Sequence, residues 1–286
     1  MPKFSLQISI ILFWVHLFGY GQTGIEVISQ TIQSTKALKS LHFEMISRER
    51  IEDEYKISVG IVKCNLSPYQ TYLQSVLDGG GRGPEVLYRS NKNNNQAIIS
   101  PNKFPYFNIH TDLNSFILRN GHHHTLKQSI FTFIADVMEN EFIKIGDENL
   151  KEYIVREEDV IFRHWNCYYI NIHWADFEWV PYTVKKGETL TTIAEKLVVS
   201  DYHILQKNED VDDYDDVSEG DKILVPNHYA KRVEFFIDKA TNLPVFTKIS
   251  DERGVFAQYQ QNWLIVNPNF TELDFSTDNP QYNFKF

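Results

Sequence analysis

Cysteine is nearly missing from this chain of 286 residues, with Cys64 and Cys167 as the only two. That excludes a framework of several disulfides. Both residues lie in strand-like runs, which leaves a single disulfide or two buried thiols open. A basic surplus is missing too: 28 Lys and Arg stand against 38 Asp and Glu, a formal net charge of −10. Phosphate recognition needs a basic footprint, so nucleic acid and anionic lipid are excluded as partners. No apolar run reaches the roughly 20 residues that a membrane-crossing helix takes. The catalytic signatures HExxH and GxSxG are absent. The Gly-rich stretch 78–84 lacks the Lys-Ser/Thr ending of a phosphate loop and reads as a turn.

What is present is ample core material. Hydrophobic residues make up 42% of the chain and aromatic residues 14%, enough for one large or two ordinary domains and against disorder. The first residues place Lys3 before an apolar run from Ile8 to Phe18, followed by small residues at Gly19 and Gly21. This pattern is that of a secretory signal over residues 1–21, cut near Gly21 or Gln22. Cleavage removes one lysine and no acid, taking the charge from −10 to −11. No cysteine follows the run, so a lipid-anchored N-terminus has no support.

Periodicity predicts a helix over 24–40 from Ile25, Ile28 and Ile32, then antiparallel strands over 42–50, 56–66 and 69–77. Strands at 85–90 and 96–100 flank a hairpin tip at 91–95. A second helix is expected from Thr125, paired with Gln128 as a capping box, with Leu126, Ile130, Phe133, Ile134, Val137, Met138 and Phe142 as its apolar stripe. Tyr168, Ile170, Ile172 and Trp174 form one face of a later strand, and three more strands run from Val233 to Val266 through turns at 238–242 and 251–254.

Between those strands lies a stretch of another kind. Tyr182-Thr-Val184 alternates as a strand and Gly187 turns the chain. From the N-cap Thr189, Leu190, Ile193, Ala194 and Leu197 share one helical face. A second helix from Ser200 carries Ile204 and Leu205 inward and stops near Asn208, a residue that tolerates the left-handed C-terminal conformation. Gly220 leads into Ile223-Leu224-Val225-Pro226. This strand-helix-helix-strand order, with these residues, resembles the LysM module. The resemblance implies binding of N-acetylglucosamine glycans such as peptidoglycan. It places the sugar groove at Gly187, Glu188, Thr189 and Leu190 on one side and Asn208, Glu209, Asp210 and Val211 on the other. The proline often found after the asparagine is Glu209 here.

The flanking strand pattern resumes after the stretch, which implies an insertion into a loop of a larger β-rich domain. Its order of helix, strands, helix and strands, with Cys167-Tyr-Tyr169, Ile237-Asp-Lys-Ala-Thr-Asn-Leu-Pro244 and the tail Asn279 to Phe284, resembles the family named domain of unknown function 1571. That family stands near the lipoprotein-sorting carriers. The resemblance implies an α+β fold: a curved antiparallel half-barrel sheet under a helical lid, with a cavity for acyl chains. The residues expected to face it from the lid are Phe131, Phe133, Ile134, Val137 and Met138. The expected division is a carrier-like domain of residues 22–180 and 229–286 around a LysM domain of 181–228.

Other clusters point away from chemistry. His122-His123-His124 stand beside a helix start with no Cys or Glu at ligand spacing, so solvent-exposed or capping roles are expected and no metal. The acidic loop 210–221 lacks glycine where a calcium loop needs it. Cys167 lies mid-strand, about 20 Å of extended chain from His173. No cofactor is implied. The sequence therefore predicts an exported, periplasmic or secreted, non-enzymatic protein that holds peptidoglycan and a lipid or lipoprotein acyl chain. A cell-wall hydrolase using two carboxylates and a wall-tethered scaffold for a partner protein stay open as alternatives.

Overall fold

The computed structural model describes residues 22–284 apart from 105, 129–130 and 147–148. The expected signal segment 1–21 and Ile130 of the helical stripe lie outside the described residues. Helix α1 (Gly24–Lys36) is followed by strands β1 (Ser40–Ile51), β2 (Glu54–Leu66), β3 (Tyr69–Val76), β4 (Arg82–Arg89), β5 (Ala97–Ser100) and β6 (Ile109–Thr111). Helices α2 (Phe116–Arg119), α3 (Phe131–Ile145) and α4 (Leu150–Tyr153) lead to β7 (Ile154–Phe162) and β8 (Trp165–His173). Then come β9 (Trp179–Thr183), α5 (Leu190–Leu197), α6 (Asp201–Lys207), β10 (Lys222–Pro226), β11 (Arg232–Asp238), β12 (Leu243–Asp251) and β13 (Gly254–Val266).

Among the described residues, eleven strands form one sheet in the order β6-β5-β4-β3-β2-β1-β13-β12-β11-β8-β7, and every pairing is antiparallel. β6 and β7 are its edges, so the sheet is open and the class is α+β. Helix α3 lays Phe133, Ile134, Val137, Met138 and Phe142 on a core that includes Ile172, Trp174, Val233, Phe235 and Ile249. α1 adds Val27 and Ile28 to the same core, and Lys36 pairs with Glu139 of α3. Thr23 caps α1 through a capping box with Glu26.

Two helix boundaries differ from the sequence reading. The first helix stops at Lys36, because the chain turns at Ala37 to enter β1 at Ser40. The second begins at Phe131 rather than Thr125: the Thr125 amide and hydroxyl both donate to Gln128 Oε1 at 3.1 Å, but they close a turn ahead of the helix. β8 also buries Cys167, Tyr169 and Asn171 along with Ile170 and Ile172, so it has two covered faces and not one. Cys64 and Cys167 are separate buried thiols, each pushed up to about 12 by burial, and the disulfide alternative is closed.

β8 and β11 are hydrogen-bonded neighbours, pairing His173 with Arg232 through Cys167 with Asp238. The segment 174–231 leaves the sheet between them and returns. β9 and β10 form their own two-stranded sheet, and α5 and α6 pack on it through Leu190, Ile193, Ala194, Ile204, Ile223 and Val225. The exit and return are stitched together: Trp174 N donates to Lys231 O at 2.9 Å, and Asn227 bonds to both Asp176 and Glu178.

α6 is buried on its second face as well. Asp201, Tyr202, His203 and Ile204 are all inaccessible, because the helix docks on the large sheet and the α2 turn. Asp201 accepts from Arg119 at 2.8 Å and from Thr191 at 2.9 Å, while the Arg119 guanidinium lies 3.5 Å over the Tyr214 ring. Tyr202 accepts from Glu52 N at 2.8 Å. His123 is sandwiched between the rings of Tyr202 and Phe256, at 4.6 and 4.0 Å, and His203 stacks on Phe256 at 4.5 Å.

Removing one partner of a pair this deep strands the other charge. Arg119→Ala is expected to cost about 3–5 kcal/mol in urea unfolding. A loss under about 1 kcal/mol would show that the docking does not depend on this pair.

Candidate functional site

The loop ahead of α5 is built by Gly187 and Thr189. Gly187 has φ +77°, which a residue without Cβ adopts at no steric cost. Thr189 caps the helix, its hydroxyl accepting from Thr192 N at 3.2 Å. The Glu188 carboxylate is drawn inward, accepting from Lys185 N at 2.9 Å, Tyr182 OH at 2.8 Å and Lys196 Nζ at 3.1 Å. The Lys185 amide foremost, then Tyr182 and Lys196, hold its pKa below the usual range. Leu190 is fully buried, and its amide donates to Tyr214 O at 2.8 Å, joining this loop to the one after α6.

On the loop after α6, Asn208 is spent on structure. Its side chain donates to Ile204 O and Leu224 O at 2.7 and 2.9 Å and accepts from Leu224 N at 2.8 Å. Its backbone (φ −107°, ψ 86°) is not left-handed; Val198 after α5 takes that conformation instead, at φ 56°. Val211 packs on the module core, while Glu209 and Asp210 are exposed. Of the eight residues expected around a sugar groove, Gly187, Glu209 and Asp210 face solvent, Leu190 is buried, and Glu188, Thr189, Asn208 and Val211 are half-buried. A ligand would meet loop backbone and an acidic rim.

The second site lies between α3 and the sheet. Phe131, Phe133, Ile134, Val137 and Met138 line one narrow cavity of about 70 Å³, facing Met45, Ile172, Trp174, Val233, Phe235 and Ile249. Its walls are almost entirely apolar. The volume is below the roughly 150 Å³ of a cavity that accepts benzene.

Beside this cavity runs a buried polar layer with no signature in the sequence, because its members come from distant elements. Glu49 accepts from Tyr259 OH at 2.7 Å and His123 N at 3.2 Å, and lies 3.1 Å from His122 Nδ1. Burial pushes its carboxyl up, but the His122 bond and the adjacent imidazoles prevail and hold it at about 2. The expected exposure holds for His122, whose side chain is 44% exposed, and fails for His123, which is buried. His123 is inaccessible and bonds Arg50 O at 2.7 Å, while half-buried His124 lines the cavity and meets Tyr229 OH at 3.3 Å. Burial, above all, lowers His123 and His124 to about 4. At the far end of α3, buried Glu141 accepts from Tyr229 N at 3.2 Å and binds His228 Nδ1 at 2.6 Å, with Asp176 at 3.3 Å from His228 Nε2. Burial works to lower His228, and the two carboxylates overcome it and raise its pKa. Among the described residues, His203, Asp251 and Glu252 come close enough for a metal, but Arg50 already pairs with Asp251.

Residues 182–226 match the family model described as LysM domain. No curated protein matches the chain in sequence. Similar solved structures include a DUF1329 family protein from Desulfovibrio piger, 8% identical, covering 90% of this chain and 98% of that one at TM-score 0.36. The lipoprotein LppX of Mycobacterium tuberculosis is 11% identical, with 86% and 96% covered and TM-score 0.38. A LolA superfamily protein from Nitrosomonas europaea is 8% identical, with 90% and 99% covered and TM-score 0.31. Likenesses of this size carry no argument about ligands, which rests on the chain's own residues.

The polar layer sets a pH dependence. Between pH 4 and 6.5 the unfolded chain protonates His123 and His124 while the fold keeps them neutral, so the unfolded state binds more protons. Stability is therefore expected to fall as pH drops from 6.5 to 4, and His123→Phe to flatten that fall, as read by denaturant unfolding at several pH values. His228 acts oppositely: its contribution is complete below the unfolded pKa and lost as pH rises through the raised folded value. An unchanged pH slope in His123→Phe would contradict the assignment.

Proposed function

We propose that the chain is an exported, non-enzymatic protein of the bacterial envelope that grips peptidoglycan through residues 181–228 and holds a hydrophobic chain within a carrier-like domain of 22–180 and 229–286. The observation that carries the first half is the LysM match together with the orientation of the module. Its α6 face is consumed by docking, and the Gly187 and Glu209–Asp210 rims stay open to solvent. Glycan binding there would use loop backbone for the acetamide groups, which suits a weak single module. Periplasmic placement follows from that partner. Among the described residues no helix is long and apolar enough to cross a membrane.

The hydrophobic-ligand half is supported by the apolar lining under α3. Pockets for drug-sized ligands run to about 300–1,000 Å³, so an acyl chain enters only if α3 lifts from the sheet. Under this reading α3 is the lid.

Co-sedimentation with purified peptidoglycan tests the first half. The native chain is expected to pellet, and Gly187→Trp to stay in solution. An added Cβ at Gly187 meets nothing within 4 Å, so the cost is φ strain of about 1–2 kcal/mol and the fold survives. A native chain that fails to pellet would overturn glycan binding. For the second half, lipid extraction and mass spectrometry should find acyl chains copurifying with the native protein and depleted in Val137→Trp, which fills the cavity.

A further inference from the structure

The cavity under α3 is apolar along its length but not at its limits. Trp174 and Gln261 both line it, at 4% and 5% exposure, and each carries a buried polar atom without a partner, Nε1 of the indole and Oε1 of the amide. An unmet donor or acceptor in a dry site costs about 1–3 kcal/mol, so such atoms mark places that a ligand can satisfy. The strand register separates them. Trp174 is level with Lys231, two residues before Val233, and Val233 aligns with Ile249 and Ala257, four residues before Gln261. Six residue steps at about 3.3 Å place the two side chains about 20 Å apart along the sheet.

The Trp174 end has a definite charge. The Trp174 ring lies 5.9 Å from His228, which sits between the carboxylates of Glu141 and Asp176, with Lys144 Nζ 3.0 Å from Glu141. Two anions face one lysine and one titrating imidazole, so no positive charge is left over for an anionic head group. Burying an unpaired carboxylate there is prohibitive. The indole N–H can only donate.

Resting on the reading of this cavity as a ligand site, we infer that its ligand is the acyl chain of a neutral ester or amide, seated with its carbonyl oxygen accepting from Trp174 Nε1. The apolar run from Phe235 and Val137 toward Met45 and Phe131 takes the chain. A free fatty acid is rejected at neutral pH, because its carboxylate would join Glu141 and Asp176 without a cation of its own.

The test is displacement of a bound hydrophobic dye from the full chain by four probes at pH 8: dodecane, ethyl dodecanoate, N-methyl dodecanamide and dodecanoate. The ester and the amide distinguish the two sources of an acyl carbonyl. Dodecanoate is expected to bind weakest. In Trp174→Phe, the affinity of the better carbonyl probe relative to dodecane is expected to fall about three- to tenfold, the worth of one hydrogen bond, while dodecane binding persists. A carbonyl-to-alkane ratio unchanged in Trp174→Phe, or lowered only in Gln261→Leu, would overturn the assignment, as would dodecanoate binding as tightly as the ester. If none of the four probes displaces the dye, the ligand-site reading itself fails.

Discussion

One helix buried on two sides dictates the arrangement of this molecule. α6 turns Ile204 toward the LysM core and Tyr202 and His203 toward the large sheet, with Asp201 sealed between them against Arg119. Taking two charges out of water is expensive, and Thr191 and the Tyr214 ring offset part of that cost by adding partners to the pair. The consequence is mechanical. A module attached only by its two linkers could swing, whereas one whose second helix is part of the main core cannot turn without exposing Tyr202, His203 and a charge pair.

The same return segment reaches the roof of the cavity. α3 is held at its C-terminal half by Glu141 on His228 and Tyr229, by Lys144 on Asn227 O at 3.0 Å and by Asn140 on Leu197 O at 3.4 Å. Every one of these partners lies in the LysM module or the linker that follows it. Any lifting of α3 from the sheet therefore works against contacts made by the LysM module. That couples the two sites through shared hydrogen bonds, with the aromatic and imidazole stack beneath them as a rigid bed.

Much of this was legible in the residues. The βααβ stretch was readable because its capping threonine, its glycine turns and its 3.6-residue period all point to one answer. The five residues expected on the lid do line one cavity, since a stripe that broad must face something apolar. What escaped has physical causes. β7 went unread because it is an edge strand whose Arg156, Glu157, Glu158 and Asp159 are exposed and show no apolar alternation. The burial of His123 escaped because it depends on Tyr202 and Phe256, which lie 79 and 133 residues away. Consecutive buried residues on α6 break amphipathic periodicity, and only docking explains them.

The docking of α6 makes the LysM module and the cavity-bearing sheet one rigid body. Distance measurement between spin labels at Lys186→Cys and Glu158→Cys, both exposed positions on the module and on the sheet edge, tests it most directly. The native cysteines are buried and stay unlabelled. A single narrow distance distribution, unchanged when chito-oligosaccharide is added, is what this account predicts. A broad distribution, or one that shifts freely with ionic strength, would show a tethered module and contradict it.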